Sequence, residues 1–476
     1  MARTPIILVC GACVLILAPR SAAAAAPVLD GAALHWPWAL PFVGILLSIA
    51  TGPLLFPKIW HNHYGKIALA WSALTLVPLA TLRGIPTAVA IFIHAVLTDY
   101  VSFIALLLAL YVVAGGILVT GNLRATPWLN TVVLAIGTAM ASFIGTTGAA
   151  MVLIRPLLRA NAARLHNVHV IVFFIFLVAN VGGALSPLGD PPLFIGFLHG
   201  VDFFWTLKHI LYDTAFVAGL LLVAFFVLDV YFYRRDRRVQ WIGEQKRPLE
   251  LRVQGEINIL LLAFVIVSIL LSATWKSGIT FDVYGTPLEL QNVVRDGALV
   301  AIAIASLMLT PNEHREINGF SWEPMLEVAK LFAAIFICAI PVLAMLRAGH
   351  RGMLGWLLDA VTQDNGAPHD VAYFWLTGLL SAFLDNAPTY LVFFELASGQ
   401  ASKLTSELAS TLAAISMGAV YMGAFTYVGN APNFMVYAIA TERGVKMPSF
   451  FGYLVWSSAF LLPVFALLTI VRIAPQ

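Results

Sequence analysis

Two aspartates stand in stretches of this chain where a charge is expensive. Asp190 lies in the run Gly-Ala-Leu-Ser-Pro-Leu-Gly-Asp-Pro-Pro-Leu-Phe (183–194), and Asp385 in Phe-Leu-Asp-Asn-Ala-Pro-Thr (383–389), each inside a long apolar segment. An aspartate at the centre of a membrane span costs about 2.5–3.5 kcal/mol even on the lenient insertion scale, so such residues mark ion or proton pathways. The first run recurs as Gly-Ala-Phe-Thr-Tyr-Val-Gly-Asn-Ala-Pro-Asn-Phe at 423–434, where Asn430 takes the place of Asp190. A weaker match sets Phe-Ile-Gly-Thr-Thr-Gly-Ala (143–149) opposite 383–389, so that Asp385 aligns with Gly145. Each half of the chain thus supplies one carboxylate, one on a broken helix and one at a hairpin tip.

Both aspartates have oxygen-bearing neighbours. Around Asp190 the expected set is Thr146, Thr147, Asn180 and Ser186, with backbone carbonyls freed by Pro187, Pro191 and Pro192; around Asp385 it is Asn386, Thr389, Thr426, Asn430 and Asn433. Hard oxygen ligands suit a desolvated alkali cation such as sodium, for which Asp190 and Asp385 are the candidate ligands. A sodium ion and a proton can compete for one carboxylate, because either neutralises a charge that is otherwise costly to bury. The competing reading is that the Ser, Thr and Asn residues cap half-helices and satisfy broken backbone.

The elements that must position these residues are membrane helices. The chain is 60% hydrophobic and 11% charged over 476 residues, and its mean hydropathy is +0.89. That excludes an ordinary soluble protein, whose core cannot bury so much apolar surface. Apolar runs at 38–56, 67–82 and 103–120 are followed by a re-entrant hairpin at 127–159, a broken helix at 168–199 and a span at 203–233. The second half repeats the plan, with spans at 257–275, 293–309 and 328–346, a hairpin at 370–397, a broken helix at 407–440 and a last span at 450–473. The expected fold is an all-α polytopic membrane protein of two inverted-topology repeats, 27–233 and 256–476, each with a re-entrant hairpin and a broken transmembrane helix. Paired broken helices in corresponding halves point to a secondary transporter's binding site.

Residues 1–26 have the layout of a secretory signal peptide: Arg3, a short apolar run and an alanine tract. Cys10 and Cys13 fall inside it, leaving Cys338 as a packed thiol and no disulfide framework. The basic linker 234–255, with Arg234, Arg235, Arg237, Arg238, Lys246, Arg247 and Arg252, marks the cytoplasmic side. The mature N-terminus is then periplasmic, in a bacterial inner membrane. The first hairpin opens to the cytoplasm beside Arg124, Arg155, Arg159 and Arg164, and the second to the periplasm. His94 and Asp99 are expected at an interface before the third span, Glu323 and Glu327 at a helix start, and 353–361 as an amphipathic surface helix.

At these motifs the chain resembles the ion transporter superfamily, which includes NhaD-type sodium/proton antiporters, citrate and dicarboxylate carriers and arsenite permeases. Asn-Val-Gly-Gly-Ala-Leu-Ser-Pro-Leu-Gly-Asp at 180–190 is similar to the NhaD-type Asn-Ala-Gly-Gly-x-x-Ser-Pro-x-Gly-Asp motif, and Leu384-Asp385-Asn386 to that group's hairpin tip. The resemblance implies a homodimer with a scaffold and a mobile part that carries the hairpins and broken helices in an elevator-type motion, with Asp190 and Asp385 as cation and proton ligands. Two departures are plain: Gly145-Thr146 stands where NhaD-type proteins have a second Asp-Asn pair, and Pro191-Pro192 replaces a hydroxyl-bearing pair.

Three functions compete. The first is a sodium/proton antiporter, favoured because no Lys or Arg lies in the motifs and a carboxylate substrate would be repelled by two bare aspartates. The second is a sodium- or proton-coupled citrate or dicarboxylate carrier, its anion held by half-helix N-termini. The third, an intramembrane aspartyl protease using both aspartates, gives no reason for the duplicated breaks. The expected surroundings are the lipid bilayer, a small cation and a proton, and on the second reading a carboxylate anion. No enzymatic activity, resident cofactor or nucleic acid partner is expected.

Overall fold

Unbroken apolar sequence closes its own backbone hydrogen bonds in lipid, and helices stop where Gly, Pro and Asx residues gather. The computed structural model describes residues 29–121, 125–237 and 251–474 in these terms. Among them, ten helices are long and apolar enough to cross a membrane, from Trp36–Leu55 to Phe450–Ile473. The protein is an all-α, multi-pass membrane protein. The signal segment, Arg124 and most of the basic linker lie outside the described residues.

The first hairpin consists of Pro127–Ile144 and Thr146–Asn161. Thr126 Oγ1 accepts from the Leu129 N–H at 3.3 Å to start it, and Gly145 turns it at φ +78°, a conformation that favours glycine. The second hairpin pairs Asp370–Phe383 with Asn386–Ala397. The first broken helix runs Val168–Leu177, a 3-10 turn Val181–Leu185, a loop, and Pro191–Leu198; the second runs Ala409–Met422, Gly423–Phe425, a loop, and Ala431–Glu442.

Burial sorts these elements. In the window of Val168–Leu185, 89% of residues are buried inside the protein, against 22% in Trp36–Leu55, Leu290–Leu309 and Phe450–Ile473. The outer spans therefore offer their sides to lipid, while the broken helices are enclosed by protein and can carry open backbone.

Several boundaries differ from those read in the sequence. The third span is one long helix, Ile85–Gly115, passing through a π turn at Val96–Tyr100. His94 and Asp99 are therefore inside it rather than before it. Residues 118–121 form a strand antiparallel to Leu251–Gln254, because Gly115-Gly116 ends the helix. The second span starts at Pro57 and the Phe203–Tyr233 region extends as Trp205–Arg237. The first broken helix opens at Asn180, whose side-chain amide donates to the Ile175 carbonyl at 2.8 Å and so takes an acceptor from the helix ladder. Arg164, beside the first hairpin, is buried and lies 2.5 Å from Asp229. Glu327 accepts from Trp60 Nε1 at 3.0 Å, and Lys330 lies over the Tyr64 ring at 5.0 Å. The surface segment near the second hairpin is a short helix, Gly355–Ala360, with Trp356 exposed. A small hairpin at 280–289, turned at Tyr284-Gly285 with both φ positive, was not legible.

Candidate functional site

Each break leaves polar backbone that must find partners, and several of those partners come from the other breaks, which draws the broken helices and hairpin tips together. The Thr146 N–H at the first hairpin tip donates to the Gly189 carbonyl at 2.8 Å. Ser186 Oγ donates to the Ser142 carbonyl, and Thr426 Oγ1 donates to the Ala382 carbonyl at 2.6 Å. These two bonds occupy matching positions at the 240-residue separation of Asp190 and Asn430. Asp190 and Asn430 also share one backbone conformation, φ −143°, ψ 142° and φ −151°, ψ 139°. Glycine is required beside both: a Cβ on Gly189 would fall 2.1 Å from the Gly183 carbonyl oxygen, and one on Gly429 would fall 2.8 Å from that of Gly423.

Asp190 is 1% exposed, and its carboxylate is bonded from three elements. Thr146 Oγ1 donates to Oδ1 at 3.2 Å, the Asn430 amide donates to the same oxygen at 3.3 Å, and the Asn386 amide donates to Oδ2. Sequence reasoning assigned Asn386 and Asn430 to Asp385; the structure brings both to Asp190. The two sets are one. Asp385 instead caps the helix it precedes, its Oδ1 accepting from the Ala387 N–H at 3.0 Å.

Asp190 and Asp385 line a single cavity of about 100 Å³, together with Thr146, Thr147, Asn430 and backbone of the two loops. Its opposite wall is apolar and comes from other helices: Phe103, Leu107 and Tyr111 on Ile85–Gly115, and Met325, Val328 and Phe332 on Glu323–Arg347. These wall residues were missed, since nothing distinguishes them from ordinary apolar span residues. Among the described residues, no Lys or Arg lines the cavity. Four helices, Thr146–Asn161, Pro191–Leu198, Asn386–Ala397 and Ala431–Glu442, begin at these breaks, so partial positive charge at their N-termini offsets the carboxylates.

The remaining expected residues serve the backbone. Asn433 donates to the Gly423 and Thr426 carbonyls at 2.8 and 3.0 Å, and its Oδ1 accepts from Asn180 at 2.7 Å. Thr389 Oγ1 donates to the Asp385 carbonyl at 2.9 Å. Ser142, missed in the sequence, donates to the Gly182 carbonyl at 2.5 Å and accepts from the Leu185 N–H at 3.2 Å. Asn180, Ser186, Thr389, Thr426 and Asn433 hold the breaks open; Thr146, Thr147, Asn386, Asn430 and the aspartates face the cavity or each other.

Residues 31–473 match the family model described as "Putative citrate transport". No curated protein gives a significant match to the chain.

Proposed function

The chain belongs to the family of that model, a family of secondary transporters, and from that premise we propose that it moves small cations against protons, with Asp190 and Asp385 as the exchanging carboxylates. The observation that carries this reading is the cavity shared by two aspartates and, among the described residues, lined by no basic side chain. Sodium or a proton would occupy the carboxylates in turn, each neutralising a buried charge. Thr146, Thr147 and Asn430 would supply further oxygens, and Asn386 would orient Asp190. No resident cofactor is needed.

The matching hydrogen bonds, backbone angles and glycine contacts at the two breaks support two inverted repeats, 27–233 and 256–476. With the basic linker cytoplasmic, the aspartate cavity would open toward the cytoplasm beside Tyr111 and the mature N-terminus would be periplasmic. An elevator-type motion of hairpins and broken helices against Ile85–Gly115 and Glu323–Arg347, in a homodimer within a bacterial inner membrane, fits that division into parts.

A second reading is a sodium- or proton-coupled citrate or dicarboxylate carrier, favoured by the family description and by the four helix N-termini at the breaks. Everted vesicles from cells lacking endogenous antiporters separate the two. Under an acid-interior gradient followed by fluorescence, antiport predicts dissipation by sodium or lithium that disappears in Asp190→Asn and Asp385→Asn. Silence to cations with uptake of labelled citrate would establish the second reading, and a cation response surviving both exchanges would refute the roles of the aspartates.

A further inference from the structure

A second cavity, about 310 Å³, has room for on the order of ten waters. His94, Thr98, Asp99, His199 and Arg347 line it. It is built on the same two helices as the aspartate cavity. Ile85–Gly115 gives residues 103–111 to the first cavity and 91–99 to the second; Glu323–Arg347 gives 324–332 to the first and 336–347 to the second. Positions 99 and 110 are roughly 16 Å apart along a helix. Because both helices are long enough to span a membrane, the cavities lie in series across it. The helix Pro191–Leu198 also links them, following Asp190 at one end and meeting His199 at the other.

Three rings separate the cavities. Phe103 stacks on Phe332 with centroids 4.6 Å apart, and Phe336 meets Phe103 edge-on at 5.7 Å. Phe103 and Phe332 face the aspartate cavity, whereas Phe336, one turn later, faces the second. All three are at most 5% exposed.

The chemistry of the second cavity suits protons better than anions. Arg347 donates through Nε and Nη2 to Glu395 at 2.9 and 2.6 Å, so its charge is matched by a carboxylate of the second hairpin. What remains is Asp99, whose carboxylate repels an anion, and two imidazoles, each able to donate and to accept a hydrogen bond. Thr98 and Asp99 sit on the π turn Val96–Tyr100, an irregularity that recurs at functional sites.

We propose that this cavity is an aqueous vestibule delivering protons to the aspartates from the membrane face opposite the aspartate cavity. His94, Asp99 and His199 are its polar lining, faced by Arg347 and Glu395, and Phe103, Phe332 and Phe336 are the wall that closes it in this conformation. What crosses rests on the proposed function; the two-sided geometry does not. The test replaces Cys10, Cys13 and Cys338 by alanine and places single cysteines by Thr98→Cys and Met435→Cys, the latter at the aspartate cavity. A charged, impermeant thiol reagent is then applied to right-side-out and inverted vesicles. The expected result is that each cysteine reacts from one face only, and from opposite faces. Phe336→Ala should then raise sodium-independent proton leak at least tenfold. Reaction of both cysteines from the same face, no reaction of Thr98→Cys from either face, or unchanged leak in a folded Phe336→Ala protein would overturn the proposal. Should the vesicles show no cation response at all, the labelling pattern still decides the vestibule separately.

Discussion

Asp190→Asn keeps the shape of the side chain and removes its charge, so it isolates what the carboxylate does. The carboxylate accepts from Thr146, Asn430 and Asn386. The introduced amide has one oxygen and so meets one of these donors with its own N–H groups, forfeiting about 1.5–3 kcal/mol for a hydrogen bond to a charged group. Against that, removing the buried charge relieves about 2.5–3.5 kcal/mol. The conflict also has a local remedy. Asn386 Oδ1 is buried without a hydrogen-bond partner among the described residues, and turning that amide presents an acceptor to the new N–H. The sum is close to zero, within about 2 kcal/mol, so the melting temperature in detergent should move by only a few degrees. Transport should fall at least 100-fold, because an amide neither exchanges a proton nor neutralises a cation. A folded variant retaining half of its activity in the vesicle assay would refute the role given to Asp190, whereas a collapse in thermal stability would show that its carboxylate is structural.

Three further substitutions test the packing of the fold. Gly189→Ala places a Cβ 2.1 Å from the Gly183 carbonyl oxygen, a contact between two backbones that no rotamer can relieve; monodisperse protein should be lost on size-exclusion chromatography. Gly219→Ala, in Trp205–Arg237 with nothing within 4 Å of the added methyl, should be neutral or stabilising by about 0.4–1 kcal/mol in the same preparation. Arg164→Ala leaves Asp229, 0% exposed, with His169 at 2.7 Å and Asn130 at 2.9 Å but without its guanidinium partner. Breaking a buried pair from one side costs about 3–5 kcal/mol, readable as a large drop in thermal stability, and an unchanged melting curve would contradict the ion pair.

Apolar length and helix-breaking residues were enough to read the class and the places where the helices break. Twenty apolar residues have few alternatives in lipid, and Gly, Pro and Asx at mid-span force backbone into the open, so the two runs at 183–194 and 423–434 were legible as helix interruptions. Asp190 and Asp385 were legible for the same reason: an isolated charge in an apolar segment stands out whatever the fold. Which elements pair emerged only from their packing in three dimensions. Local spacing placed Asn386 beside Asp385, yet its amide reaches Asp190 across 196 residues, because a hairpin tip from one half meets a helix break from the other. Ser142, Phe103, Phe332 and Phe336 carried no signal at all, being ordinary residues in apolar helices until packing set them against a break or between two cavities. His94 and Asp99 were misplaced because a π turn keeps Ile85–Gly115 continuous where polarity suggested a boundary. A hydrophobic pattern records what must be kept from water, while the neighbours of each polar group depend on which distant segment is available to satisfy it.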